Sequence, residues 1–248
     1  MRLLVINPNI SDDVTALIRA EAQRSASPGT ELTVLTAPFG VAYIETRMEA
    51  IVGAYATLQL AAEHAEGHDA VVVAAFGDAG ADGIRELLPI PVVGMTQAAL
   101  ASAHLLGRRF SIVAISRRIA AWYRETVHAY GFTDRMASLR FLDRPLSGPG
   151  SVQQEHRDRL LELCDACVRE DGAEVIVLAG APLAGLARSV AGQIAVPVVD
   201  GVSSAIRHAE SLVALQPGAA TAGSYAMPPA KPHRGLPPAL ARRLDAPR

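Results

Sequence analysis

The chain has 248 residues, half of them apolar and only 4% aromatic, with a formal net charge of −2 at pH 7. That length can bury a sizeable core in one or two domains. The near-neutral balance with no basic patch or Arg/Lys run excludes a nucleic-acid partner, and no apolar run approaches the ~18 residues that a membrane span needs.

In chain order, residues 2–6 form an apolar strand that runs into Asn7-Pro8-Asn9. The run is too short for the core of a signal peptide, so a soluble, cytoplasmic protein with a small-molecule partner is expected. Ser11, Asp12 and Asp13 give N-cap signals for a helix to about residue 24. A turn at 27–30 leads to a strand at 31–36. A loop carrying Pro38, Gly40 and Tyr43 precedes a long Ala-rich helix over 46–66. An apolar strand at 70–75 stops at Phe76-Gly77-Asp78, and an amphipathic segment, a strand at 90–94 and a helix at 97–106 follow. The second half repeats the pattern. It has strands at 110–115 and 138–142, helices at 119–130 and 152–170, a strand beginning at Val175, a turn at Gly180-Ala181-Pro182, a strand at 196–199 and a last helix at 202–215. Residues 216–248 are rich in Pro, Ala and Gly, but Leu236, Leu240 and Leu244 are helically spaced and predict a short docked helix over 237–244.

The stretch DAVVVAAFGDAGADGIRELLPIPVVGMT (residues 69–96) and the stretch EVIVLAGAPLAGLARSVAGQIAVPVVD (residues 174–200) align with one inserted residue. This duplication predicts two similar α/β halves that face each other, with the two turns as matching walls of one site. Alternating strands and helices mean parallel sheets covered on both faces. The expected class is α/β, two pseudo-symmetric Rossmann-like lobes with parallel four-stranded sheets and an active-site cleft between them. The lobes are placed at 1–107 and 108–215, the tail at 216–248, with residues 202–248 able to pack on the first lobe.

In open α/β sheets ligands bind beyond the carboxyl ends of the strands. Those ends carry Asn9 and Ser11, Gly77 and Asp78, Ser116, and Gly180 with Ala181. Small residues allow close backbone approach, and helix N-termini offer free N–H groups to an oxyanion. The bland alternative is that they only pack strand ends against helices. Neither turn is a phosphate loop or a dinucleotide fingerprint. The seven histidines form no metal motif, so neither metal nor cofactor is expected. Cys164 and Cys167 lie inside a strongly helical stretch and read as small hydrophobes.

The opening LLVINPNIS (residues 3–11), FGVAYIETR (39–47), DAVVVAAFGDAG (69–80), PVVGMTQAAL (91–100), RRFSIVAIS (108–116), GAEVIVLAGAPLAGLA (172–187) and GLPPALARRL (235–244) together resemble the aspartate/glutamate/hydantoin racemase superfamily, in particular its hydantoin and allantoin racemase branch. The resemblance implies two α/β lobes with the site between them, cofactor-independent racemisation next to a carbonyl, and a homo-oligomer. It also implies two cysteines, one at each turn, that pass a proton from one face of a planar enolate to the other. Ala75 and Gly180 stand at those positions in this chain. Either the chain is a branch that lost both thiols, or Ala75 is a Cys→Ala change.

Other groups must then act. Asp78 is the carboxylate nearest the first turn and reads either as an acid/base or as the cap of the helix that follows. Tyr43 and Glu45 border the cleft; Glu45 alternatively pairs with Arg47. Arg118 either holds a carboxylate or imide oxygen or is a surface arginine. Asn9, Ser11, Tyr43, Phe76, Gly77, Thr96, Ser116, Arg118, Ala181 and Pro182 are expected to line the substrate, with backbone N–H groups at Gly77, Asp78 and Ala181 as donors. The leading function is an isomerase or racemase for a hydantoin- or allantoin-like cyclic amide. A decarboxylase or cis–trans isomerase on the same scaffold, and a non-catalytic ligand-binding homologue, stand as alternatives.

Overall fold

Two sets of four short strands carry the architecture of the computed structural model, which describes residues 1–245; the last three residues of the predicted tail lie outside them. The first set is β1 (Arg2–Asn7), β2 (Glu31–Thr36), β3 (Ala70–Val73) and β4 (Val92–Gly94), all parallel in the order β2-β1-β3-β4. The second is β5 (Phe110–Ala114), β6 (Met136–Phe141), β7 (Val175–Leu178) and β8 (Val198–Asp200), parallel in the order β6-β5-β7-β8. Identical orders in two halves are the structural form of the internal repeat. The central strands β3 and β7 are buried at every residue, as expected for strands covered on both faces.

The helices are α1 (Asp12–Ser25), α2 (Arg47–His64), α3 (Ala81–Leu87), α4 (Met95–Leu106), α5 (Ala120–Ala129), α6 (Val152–Glu155), α7 (Arg157–Arg169), α8 (Leu186–Ser189), α9 (Gly201–Leu215) and α10 (Pro238–Asp245). Local chemistry sets several of their starts. Ser11 Oγ accepts from Val14 N at the head of α1. Thr46 and Glu49 form a reciprocal capping box at the head of α2, which satisfies two N–H groups that the first turn leaves over.

One predicted helix differs. The stretch 152–170 is not continuous: it breaks at His156, whose backbone leaves the helical region (φ −130, ψ 21) and whose Nε2 lies 3.0 Å from the Pro145 carbonyl. The break frees α6 to turn toward the second of the two repeated turns.

The last helix of each half crosses to the other half. α4 follows β4 yet packs against β7 and β8, and α9 follows β8 yet packs against β3, β4, α1 and α4. The main core cluster therefore joins both sheets, with Val5, Val72, Met95 and Leu100 packed in one body with Ile112, Val177 and Ile206. Two further clusters lie outside it. One is under α2 and α3, where Leu240 of α10 docks; the other is around α7 and includes buried Cys164 and Cys167.

Candidate active site

β3 and β7 end at equivalent points beside β1 and β5, where the strand order of an open sheet reverses and a crevice forms. Register puts Ala75 opposite Gly180 in the repeat, Gly77 opposite Pro182, and Gly80 opposite Gly185. Gly80 (φ 90) and Gly185 (φ 83) each sit at the N-cap of the helix that follows. This left-handed conformation favours a residue without Cβ, so the matching glycines are explained by geometry.

The carboxylate at the first turn is a cap, but not of the predicted helix. The N-cap of α3 is Gly80, with no side-chain bond. Asp78 instead reaches across to α4: its Oδ1 accepts from Thr96 N at 2.7 Å and its Oδ2 from Gln97 N at 2.9 Å. Tyr130 at the end of α5 also donates to Oδ2, at 2.9 Å. In the second half the same two helix positions, Val202 N and Ser203 N, donate to Asp200 Oδ1 at 2.8 and 3.0 Å. Asp200 stands at the end of β8, where the first half has Gly94. A Cβ on Gly94 would collide with the Asp78 carboxylate. One electrostatic job is thus done from two different sequence positions, and in the first half the carboxylate that does it excludes a side chain at Gly94.

Burial moves the Asp78 carboxyl up, from its ordinary 3.8 to about 6, against the lowering effect of the N–H and phenol donors. Burial likewise raises Asp200. Thr96, fully buried, uses Oγ1 to accept from Gly77 N at 2.6 Å, and Asp78 N donates to Ala75 O at 3.1 Å. The Gly77 and Asp78 N–H groups are therefore satisfied inside the turn. The symmetry mate of Gly77 is Pro182, which has no N–H, and the mate of Thr96 is Val202, which has no acceptor to offer. The N–H groups of Phe76 and Ala181, each one residue past Ala75 and Gly180, make no hydrogen bond among the described residues.

Tyr123 lies between the two turns. Its ring packs on Phe76 with centroids 4.7 Å apart, and its Oη is 4.0 Å from where a Cβ on Gly180 would be. Trp122 covers Gly77 so closely that an added Cβ would overlap its indole. Tyr43 packs against the same cluster, and its Oη is buried with no partner among the described residues. Burial first, then neighbouring ionisable groups, pushes both phenols far above their ordinary range. They stay protonated, each with an O–H to donate.

The other predicted site residues sit at the rim or in the bracing. Asn9 Oδ1 accepts from Asn7 Nδ2 and Ser11 N, which stiffens the end of β1. Ser116 Oγ accepts from Arg118 N, and Arg118 is exposed. Arg47 pairs with Glu125 of α5 rather than with Glu45. The second turn, buried at Gly180, Ala181 and Pro182, is braced from α6: Gln153 Nε2 donates to Pro182 O at 2.9 Å and Ala184 O at 2.8 Å.

Sequence reasoning missed Trp122, Tyr123, Tyr130 and Gln153. A signal was present for three of them, because the only tryptophan and two of five tyrosines fall on one short helix and its C-cap. No group of three His, Cys, Asp or Glu side chains with metal-binding geometry occurs among the described residues. No helix among them is long and apolar enough to cross a membrane.

The Asp/Glu/Hydantoin racemase family model matches residues 3–209. The hydantoin racemase of Paenarthrobacter aurescens is 36% identical over 233 residues, which is 93% of this chain and 99% of the relative. The structure of allantoin racemase from Klebsiella pneumoniae superposes with a TM-score of 0.91 at 36% identity, covering 97% of this chain and 98% of that one. Allantoin racemase from Pseudomonas fluorescens gives 0.89 at 34% identity, with 95% and 100% coverage.

Proposed function

This chain belongs to the Asp/Glu/hydantoin racemase family, and we propose that it acts as a cofactor-independent racemase or isomerase on a hydantoin- or allantoin-like cyclic amide. The observation that carries this reading is the symmetric pair of unpartnered N–H groups, Phe76 and Ala181, flanking the buried phenol of Tyr123. Loss of a proton from a carbon next to a carbonyl to a solvent water, with return of a proton from solvent, places negative charge on oxygen in between, and preformed donors stabilise that charge. The two N–H groups and the phenols of Tyr43 and Tyr123 are the donors of the site, and none of them needs to ionise.

The finer assignment is also ours. Ala75 and Gly180 occupy the positions of the family's proton-carrying cysteines, and neither carries an ionisable group. The side chains here thus supply charge stabilisation without a thiol at either wall. Asn9, Ser11 and Ser116 shape the rim, Arg118 faces the entrance, and Thr96 and Asp78 hold the first turn rigid. A homo-oligomer belongs to the same proposal and is read out by light scattering on the eluting protein.

The test is deuterium incorporation at C5 of hydantoin and allantoin in deuterated buffer. Incorporation above the buffer rate is expected. A rate equal to buffer, with binding intact by thermal shift, removes the racemase reading. It leaves the second one, a ligand-binding homologue, which the absence of an ionisable side chain at positions 75 and 180 favours.

A further inference from the structure

A second polar cavity opens where α1, α4, α8 and α9 meet, away from the paired turns. It measures about 370 Å³, and three guanidiniums, Arg24, Arg188 and Arg207, line it together with serines that include Ser102 and Ser203. No carboxylate is among its lining residues.

Buried acids hold the arginines, and one of them, Glu21, lines an adjoining hollow that shares Ser102, Arg188, Ser203 and Ser204 with this cavity. Glu21, with a side chain only 1% exposed, accepts from Arg24 Nε at 3.1 Å and from Arg188 Nη2 at 2.9 Å. Glu210, 8% exposed, accepts from Arg207 Nη1 at 3.1 Å and is held as well by Ser27 and Thr30. Asp200, the next acid, lines an adjoining hollow and is bonded to the N–H groups of Gly185, Val202 and Ser203. Ser102 Oγ meets His208 Nε2 at 3.1 Å, and burial lowers the pKa of that imidazole.

A guanidinium carries five N–H donors in a planar fork. The bonds to Glu21 and Glu210 use one edge of each and fix its direction, while all three side chains remain more than half exposed. An ion-pair clasp between lobes accounts for the buried edge. It does not account for three anchored forks from three helices lining one cavity with hydroxyls between them. That arrangement matches an oxyanion, which guanidiniums bind in paired, directional hydrogen bonds, and preorganisation of the forks lowers the cost of binding.

We infer that this cavity is a binding site for a small-molecule oxyanion, phosphate or carboxylate, that bridges the two lobes. Arg24 and Ser102 come from the first half of the chain and Arg188 from the second. A bound anion ties the α8 segment, which directly continues the 180–185 turn, to α1.

The experiment is a thermal melt of the full chain at constant ionic strength, titrated separately with inorganic phosphate and with succinate against sodium chloride. A saturable rise is expected with at least one probe. Saturation with phosphate alone assigns a phosphoryl group, with succinate alone a dicarboxylate, and with both a general oxyanion site. Arg24→Gln leaves Glu21 paired with Arg188, and Arg207→Gln leaves Glu210 bonded to Ser27 and Thr30, so both variants are expected to fold. Each should raise the half-saturating concentration about tenfold or more, since a hydrogen bond to a charged group is being removed. A rise no larger than with chloride, or a saturation point unchanged in both variants, overturns the proposal.

Discussion

At the scale of single residues, positions 75 and 180 are not equivalent in what they tolerate. Ala75 has ordinary backbone geometry, whereas Gly180 adopts φ 108 and sits 3.6 Å (to an added Cβ) from Pro182 Cδ and 4.0 Å from Tyr123 Oη. A Cβ at 180 would make ordinary van der Waals contacts with the proline and the phenol, but on a backbone that L side chains rarely adopt. Ala75→Cys is therefore expected to leave stability nearly unchanged and to raise C5 deuterium exchange. Gly180→Cys should cost about 1–3 kcal/mol of stability in urea unfolding. Equal stability of the two variants would contradict this account.

Asp78 makes a prediction of a different kind. Its carboxyl is raised to about 6 in the folded chain and titrates near its ordinary value when unfolded. Between pH 4 and 6 the unfolded chain ionises first, so Asp78 removes stability as pH rises through that window. The size is on the order of 3 kcal/mol. The stability advantage of the wild type over Asp78→Asn should shrink from pH 4 to pH 7, which unfolding curves at several pH values measure. An advantage that grows with pH would mean the carboxylate is stabilised, not penalised, by its burial.

At the scale of elements, α5 is the piece that closes the cleft. Trp122, Tyr123 and Tyr130 rest on Gly77, Phe76 and Asp78 respectively, and Arg47 of α2 grips Glu125 from the other side. Gly77→Ala should be strongly destabilising for two separable reasons, a positive φ of 106 and overlap with the Trp122 indole. A double-mutant cycle with Trp122→Ala resolves them. A coupling of about 1 kcal/mol or more is expected, because only the overlap is relieved; a coupling near zero would place the whole cost in the backbone. The caps follow the same logic of shared positions. The helix after the fourth strand is capped by a turn residue in one half and a strand-end residue in the other, so the two halves keep their symmetry in space while losing it in sequence.

At the scale of the molecule, exchange of α4 and α9 makes the two sheets one cooperative body, and Glu21 clasps it from α1 to Arg188 on α8. Removing that charge leaves two arginines short of a partner, both of them half solvated. Glu21→Gln is thus expected to cost about 1–3 kcal/mol, less than a fully buried pair would, and to lower the midpoint of a single unfolding transition. Two separated transitions would show that the lobes unfold independently. The repeat, the eight strands and the positions of nearly every helix were legible in the amino-acid sequence, because short apolar runs, glycines at turns and N-cap residues act within a few positions of themselves. The family was legible as well, since its motifs are contiguous. The target of the Asp78 carboxylate, the satisfied N–H of Gly77, the phenol standing beside Gly180 and the break at His156 were not. Each depends on a partner between about 10 and 60 residues away, and only the tertiary packing of one element on another, within a half or, for Tyr130 on Asp78, between halves, brings those partners within hydrogen-bond or van der Waals distance.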